Sequence, residues 1–433
     1  MKRIILQLLM LSLPAMSSAM QLTLTECRDM ALATDENVRI SRNNLSGSEL
    51  DRAVARTQYL PKLSGSANVM YIAPDSKVGD MMTMQIRGAY MAGISITQPI
   101  YAGGKILAAD RMASAGVRIS EEQLRAARMD VVAEAEKSYW TYVAVLSKVE
   151  MTESYLGMMD SIYDVTKDAV EVGLQSGQAL LRVSTRRSEI VYRLNQAKSG
   201  ADICRLALCR LIGVADTVSI VPVEPVDLTE TLPRSTMDVE QRPETRILSH
   251  MIDLKRHEVA LTRGDFLPSA GVQLGWAAYG NMKMKGWGQD EAGNPVPFSS
   301  SISSNGFMGV LSVQVPLFHW GEGMKKVRRA KTEVENARLT LNRNRRLMEL
   351  ESRQAYSNLV TGIDLIASAE TAMTEADENL RIMKEQYEAG LMTLTDLLEA
   401  QSQWHTSYSN LIEARAQFRI DRVTYLRSIG ELE

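Results

Sequence analysis

Apolar positions in this chain follow two different periods, and each period occurs twice. Leu63, Gly65, Ala67, Val69 and Tyr71 alternate with Ser64, Ser66, Asn68 and Met70. Ile86, Gly88, Tyr90, Ala92, Ile94 and Ile96 alternate with small or polar neighbours up to Thr97. The runs Ala270–Trp276 and Phe307–Val315 repeat the pattern. One apolar face and one small or polar face is the period-2 signature of a strand. Runs of about ten residues also match the length of a tilted strand crossing a bilayer. The alternation suits a soluble antiparallel sheet and a membrane sheet, lipid outside and water inside, equally well. The segments joining paired runs, Ala73–Met84 and Gly280–Asn305, are polar and read as exposed loops. Tyr71, Tyr90, Trp276 and Tyr279 near these loops, with Tyr101, Phe318 and Trp320 at the opposite ends, suit two interfacial aromatic girdles.

The second period is helical. Val131, Ala135, Tyr139, Tyr142, Val143 and Leu146 recur at three and four spacings with charged residues between them. Helices are expected over Lys105–Val172 and Glu322–Ala389, each running roughly 100 Å at about 1.5 Å per residue. Gly173 and Gly390 interrupt them at matching places, fit for a left-handed turn. Return helices follow over 174–212 and 391–429. A shorter helix precedes each strand pair and stops at proline, at Tyr59-Leu60-Pro61 and at Phe266-Leu267-Pro268.

The chain is a tandem duplication. Ile100–Val221 and Leu317–Glu433 contain no proline, and the two run in register at an offset of 217. Ser95 pairs with Ser312, Pro99 with Pro316, Gly104 with Gly321, Tyr139 with Tyr356 and Gly173 with Gly390. Pro61, Pro99, Pro268, Pro316, Gly104 and Gly321 are expected as structural turns where strands meet helices. The domain reading is a signal peptide over 1–19 and a first repeat over 20–221 with its strand pair at 63–98. A linker over 213–241 and a second repeat over 242–433, strand pair at 269–316, complete it. The signal consists of Lys2 and Arg3, an apolar run Ile4–Leu13 and small residues to Ala19. No cysteine stands where a lipid anchor would need one.

Composition narrows the function classes. The net charge of −3 gives no basis for nucleic-acid binding. After the signal no apolar window is long enough for a spanning helix, so a spanning segment would have to be β. The three cysteines, Cys27, Cys204 and Cys209, read as small buried residues, and the four histidines are scattered. No metal site, cofactor, phosphate-binding loop or nucleophile elbow is expected, and therefore no catalytic residue. Four strands cannot close a barrel alone, and an open edge is not tolerated in lipid. Membrane strands would therefore require copies of the chain around one axis. Two copies give eight strands and three give twelve, and the spacing does not choose.

The order helix, x-Leu-Pro, strand pair, Gln98-Pro99-Ile100-Tyr101-Ala102-Gly103-Gly104, long helix and Val172-Gly173-Leu174 tip, all duplicated, resembles the TolC-like outer-membrane efflux proteins. The resemblance implies a mainly α chain with a membrane β-barrel part. Long helical hairpins would form an α-barrel, and four strands per chain a shared twelve-stranded barrel in a homotrimer. It implies an outer-membrane location with a large periplasmic extension. Its partners would be a periplasmic adaptor and an inner-membrane pump, either resistance-nodulation-division or ATP-driven. It places a periplasmic gate at Asp396 and Glu399, six and nine residues after Gly390, and adaptor contacts at Gly173, Leu174, Gly390 and Leu391. Met392 replaces a basic residue that links the closed tips in some members. The first hairpin carries Ala179 and Arg182 where the second has Asp396 and Glu399, which suggests an Arg182–Glu399 closing pair. The functions left open are a passive efflux duct, the duct of a type I protein secretion system, and a periplasmic coiled-coil scaffold with no pore.

Overall fold

The computed structural model describes residues 20–78, 82–224, 233, 235–236, 238–291 and 293–432. The expected signal peptide and much of the expected linker lie outside them. The chain divides into two compact units. One comprises the chain up to Asn44, Glu121–Ile247 and Leu341 onward; the other comprises Leu45–Ser120 and Leu248–Thr340. The described elements run β1 (Met20–Leu22), α1 (Leu24–Thr34), α2 (Glu36–Thr57), β2 (Lys62–Tyr71), β3 (Ser76–Val78), β4 (Met82–Gln85), β5 (Arg87–Ala102), α3 (Lys105–Glu171) and α4 (Gly177–Ile212). They continue with β6 (Ile220–Pro222), α5 (Pro243–Gly264), β7 (Ser269–Gln289), β8 (Pro295–Gln314), α6 (Glu322–Glu388) and α7 (Leu394–Ile429). The duplication is exact in the long helices. α3 and α6 have 67 residues each and α4 and α7 have 36 each. α4 and α7 end alike, on Gly213 and Gly430 in the left-handed region at φ 72° and 81°. Each return helix starts three residues later than its sequence suggests, because Ser176 and Thr393 act as N-caps.

The unit of Leu45–Ser120 and Leu248–Thr340 holds one antiparallel sheet. Over its longest stretch the order is β2-β5-β7-β8, and β4 and β3 extend it beside the far half of β7. Register sets one face as Leu63, Val69, Ile94, Ile96, Leu274, Trp276, Phe307 and Leu311, and the other as Ser64, Ser66, Ser95, Thr97, Gln273 and Ser312. The Ser64 and Ser95 hydroxyls lie 3.1 Å apart on the polar face. Tyr90 and Trp276 belong to the apolar face, whereas Tyr279 falls on the polar one and so leaves the expected girdle.

Two further expectations are corrected here. Most of Gly280–Asn305 is strand rather than loop: β7 and β8 pair from Ser269↔Gln314 to Gln289↔Pro295, with a register shift between Tyr279 and Met282. Ladder bonds are made by backbone groups, so a Gly-, Ser- and Asn-rich stretch forms them once its partner is in place. Part of Ala73–Met84 likewise forms the β3–β4 pair. Pro99 is not at a turn but inside β5, at a register shift between Pro99 and Tyr101. β2 pairing has stopped at Thr97, so the missing proline N–H leaves no β2 acceptor stranded. Pro61 and Pro268 stand between helix and strand, and Pro316 between β8 and α6. Gly104 and Gly321, at φ 77° and 76°, immediately precede the first turns of α3 and α6. A Cβ on neighbouring Gly103 would stand 2.5 Å from the Gly264 carbonyl oxygen, so the chain passes there only without a side chain.

In the other unit, β1 pairs in parallel with β6, and these strands with α1, α3 and α4 enclose a core of Leu22, Cys27, Ala31, Ala135, Tyr139, Leu208 and Ile212. Cys27 and Cys209 are buried, and all three cysteines are free. Burial, reinforced by the Glu136 carboxylate, pushes the Cys27 thiol up to about 12. That carboxylate is itself buried and pairs with Arg28 at 2.5 Å. A second staple ties the start of the second repeat to the chain end. Arg242 reaches Glu351 at 2.8 Å, and Arg125 donates to the carbonyls of Gln241 and Gly430 at 2.8 and 3.0 Å.

The N-terminal strand is held by fully buried Tyr139. Its hydroxyl hydrogen-bonds the Glu224 carboxylate, stands 3.1 Å from the Leu22 carbonyl, and Glu224 accepts from the Leu24 N–H at 3.0 Å. Tyr139→Phe keeps the shape but removes the donor. Losing a hydrogen bond to a charged group costs about 1.5–3 kcal/mol. Hydrogen exchange at the Met20 and Leu24 amides is expected to accelerate about tenfold or more. Unchanged exchange would show that the strand is held by its apolar contacts alone.

Candidate functional site

The hairpin tips close by the same chemistry in both repeats. α3 ends with the Leu174 N–H donating to the Ala169 carbonyl at 2.8 Å and the Gly173 N–H to Val170 at 3.1 Å. α6 ends with Leu391 donating to Gln386 at 2.9 Å and Gly390 to Tyr387 at 3.0 Å. This pair of bonds is the Schellman motif, which needs a left-handed residue at its penultimate position. Gly173 and Gly390 supply it at φ 80° and 72°. The motif often buries its last side chain against the helix. Here Leu174 and Leu391 are 81% and 76% exposed, so both project into solvent.

Asp396 begins α7 in a capping box. Its carboxylate accepts from the Thr393 hydroxyl at 2.6 Å and the Thr393 N–H at 3.1 Å, and the Asp396 N–H donates back to the Thr393 hydroxyl at 3.3 Å. The hydroxyl bond and then the N–H bond hold the Asp396 carboxyl below the usual carboxylate range. Asp396 is therefore ionised at neutral pH and fixed in direction. Glu399 lies one turn on and is exposed.

Arg182 does not pair with Glu399 within the chain. Its guanidinium donates to the Thr395 hydroxyl at 3.4 Å. Thr395 and Glu399 are four residues apart on one helix, hence on the same face one turn apart. The first turn of α7 stands within reach of Arg182, and the carboxylate stands one turn further along. One turn deeper in α4, Arg186 donates to Ser402 at 2.9 Å and pairs with Glu189 at 2.7 Å. Sequence reasoning missed this second contact between α4 and α7. The only signal for it is that Arg186 follows Arg182 by four residues, on one face of α4.

Beneath the tips, Met151, Tyr155, Met159, Val183, Ile190, Leu380, Leu397 and Trp404 form one core drawn from all four long helices. The Trp404 indole N–H donates to Asp377 at 3.0 Å, joining α7 to α6. The Tyr155 and His405 rings lie 4.9 Å apart. Burial, with Arg193 and Arg186 nearby, lowers the His405 pKa and favours its neutral form. The tips thus combine rigid capped turns, two exposed leucines and a short row of charge contacts on a packed base. No helix among the described residues is long and apolar enough to cross a membrane.

The sequence profile described as "Outer membrane efflux protein" matches residues 27–214 and 239–431, one match in each repeat. The "Alkaline protease secretion protein AprF" of Pseudomonas aeruginosa is 21% identical over 411 residues, covering 92% of this chain and 82% of that protein. The "Outer membrane protein TolC" of Vibrio cholerae is 21% identical over 350 residues, covering 79% and 76%. Among solved structures, the Campylobacter jejuni CmeC outer membrane channel superposes with a TM-score of 0.76 at 20% identity, over 95% of this chain and 86% of that one. With both repeats matched, the chain belongs to the outer membrane efflux protein family and is a TolC-like protein of the outer membrane with a periplasmic extension.

Proposed function

We propose that the chain is the passive exit duct of a tripartite efflux system, a homotrimer joined through a periplasmic adaptor to an inner-membrane pump. The observation that carries this reading is the open sheet. Among the described residues β2 and β8 are its outer strands, each paired on one side only, and its apolar face is unsheltered, with Phe307 91%, Val69 76% and Leu311 67% exposed. In lipid such edges must be paired. β2 and β8 run in opposite directions, because each step from β2 to β5, β7 and β8 is antiparallel. The edge of one copy therefore fits the opposite edge of the next in the same antiparallel sense. Three copies would close twelve strands. The duct does no chemistry of its own, and the pump supplies the energy. The protease-secretion relative supports a second reading, the duct of a type I secretion system. The two readings share the conduit and differ in the pump.

In this reading Asp396 and Glu399 of three copies ring the periplasmic opening, and the tips rotate outward to open it. Six carboxylates about one axis repel one another and draw cations, which makes an electrostatic filter. Arg182, beside Thr395, limits how far the α7 turn swings from α4.

Asp396→Asn with Glu399→Gln keeps the acceptors of the cap and removes the charge. In planar bilayers this variant is expected to show several-fold higher resting conductance and weaker block by divalent cations. Parental conductance and block would remove the gate assignment. The exposed leucines supply the adaptor contact: Leu174→Asp with Leu391→Asp is expected to abolish crosslinking to the adaptor while trimer formation persists. Undiminished crosslinking would place the contact elsewhere.

A further inference from the structure

The sheet carries a methionine cluster that no part of the conduit reading requires. Met84 on β4 stands directly opposite Met284 on β7. Met82 is two residues from Met84, opposite Gly286, and Met282 is two residues from Met284, opposite Ile302 on β8. Residues two apart on a strand share a face. Side chains directly opposite have Cβ atoms about 5 Å apart and diagonal ones somewhat more, within reach of flexible thioether arms. Register thus puts Met84 and Met284, with Met82 or Met282 as the third, where three thioethers can reach one point. Glycine opposite Met82 leaves that point unobstructed.

Which face they occupy is set by two irregularities. Between Tyr279 and Met282, β7 advances three residues while β8 advances two, from Ser304 to Ile302. One extra residue exchanges the faces of everything beyond it. Without it, Met282 and Met284 would share the apolar face of Trp276; with it, they share the polar face of Tyr279, Ser304 and Ser312. Asn281 is in the left-handed region at φ 61°, and its side-chain amide donates to the Gly88 carbonyl at 2.9 Å. Gly88, the second residue of β5, is itself at φ 75°, at the register shift between β5 and β2. Both strands are thus kinked and bonded to each other at the point where their methionines cross to the polar face. Met70, Met91 and Met308 lie on that face too, so every described methionine of this sheet does. Lys283 and Lys285 alternate to the other face.

We propose that Met84 and Met284, completed by Met82 or Met282, form a binding site for a soft monovalent metal ion, Cu(I) or Ag(I), one per chain. Thioether sulfur is a soft, neutral ligand that selects Cu(I), whereas hard cations take oxygen. Three neutral thioethers leave a monovalent ion with its single charge and need no compensating carboxylate. The placement of this face on the water-filled side of a barrel rests on the conduit reading; the site itself rests on strand register.

Silver is the probe, because it does not change oxidation state under assay conditions. Full-length protein in detergent is titrated with silver nitrate by equilibrium dialysis, in a background with Cys27, Cys204 and Cys209 replaced by Ala. Met84→Leu with Met284→Leu is close to isosteric and is expected to lose one silver ion per chain, with affinity down at least tenfold. Met91→Leu with Met308→Leu is expected to bind as the background does. X-ray absorption at the silver edge on unsubstituted methionines is expected to show sulfur neighbours only. Equal silver binding by the two double variants, or oxygen neighbours about the ion, would overturn the site and leave the methionines as apolar lining. Silver block of bilayer conductance separates the two readings. Binding without any conductance contradicts the conduit and spares the site. Conductance without lost silver binding in Met84→Leu/Met284→Leu contradicts the site and spares the conduit.

Discussion

A sheet with two free edges is the constraint on which the rest of this molecule depends. Each edge carries backbone N–H and C=O groups that need partners, and in hydrocarbon no water can provide them. Among the described residues the chain brings four strands across most of the sheet and no fifth to cover β2 or β8. Over its longest stretch Leu63, Ile94, Trp276 and Phe307 lie on one face, where lipid would satisfy them, and Ser64, Ser66, Ser95, Gln273 and Ser312 on the other. In the proposed duct, function follows from that deficit. A wall that is complete only in company can enclose a passage.

The duplication shows which features the fold fixes and which it leaves free. α3 and α6, α4 and α7, and their terminal glycines match residue for residue. Both tips use the same Schellman bonds and both expose a leucine. Their charges differ: Arg182 stands on α4 where Glu399 stands on α7, and Ala179 where Asp396 stands. Two hairpins of equal helix length and like backbone capping thus differ in charge near their tips. The Schellman bonds are made by backbone groups and are indifferent to Arg182 and Glu399, whereas Asp396 serves the α7 cap with its own carboxylate.

The long helices were legible because nothing in either stretch breaks one: no proline, and glycine at the tip where a left-handed turn is needed. The Thr393–Asp396 spacing is that of a capping box, and it starts α7 at Leu394 rather than directly after the tip. The extended β7–β8 ribbon was not, because its Gly-, Ser- and Asn-rich sequence resembles a loop and ladder bonds are blind to side chains. Nor was the face of Met282 and Met284, since strict alternation places them with Trp276. One residue, Asn281, reverses that assignment through a backbone conformation that composition does not reveal. Pro99 was misplaced for a related reason: whether proline ends a strand or sits within it depends on where its neighbour stops pairing. Partner residues across the tip, such as Arg186 and Ser402, depend on helix rotation, which a single periodic stripe does not determine.

Closure of the sheet by neighbouring copies is tested most directly by linking its edges. Ser66→Cys on β2 is combined in turn with Met308→Cys, Val310→Cys and Ser312→Cys on β8, which samples the register between chains. Within one chain two strands separate these positions. At least one pair, oxidised in intact envelopes, is expected to yield a covalent ladder on denaturing gels ending at three chains. Monomer alone from every pair, in protein whose sheet is intact, would contradict closure by neighbouring copies.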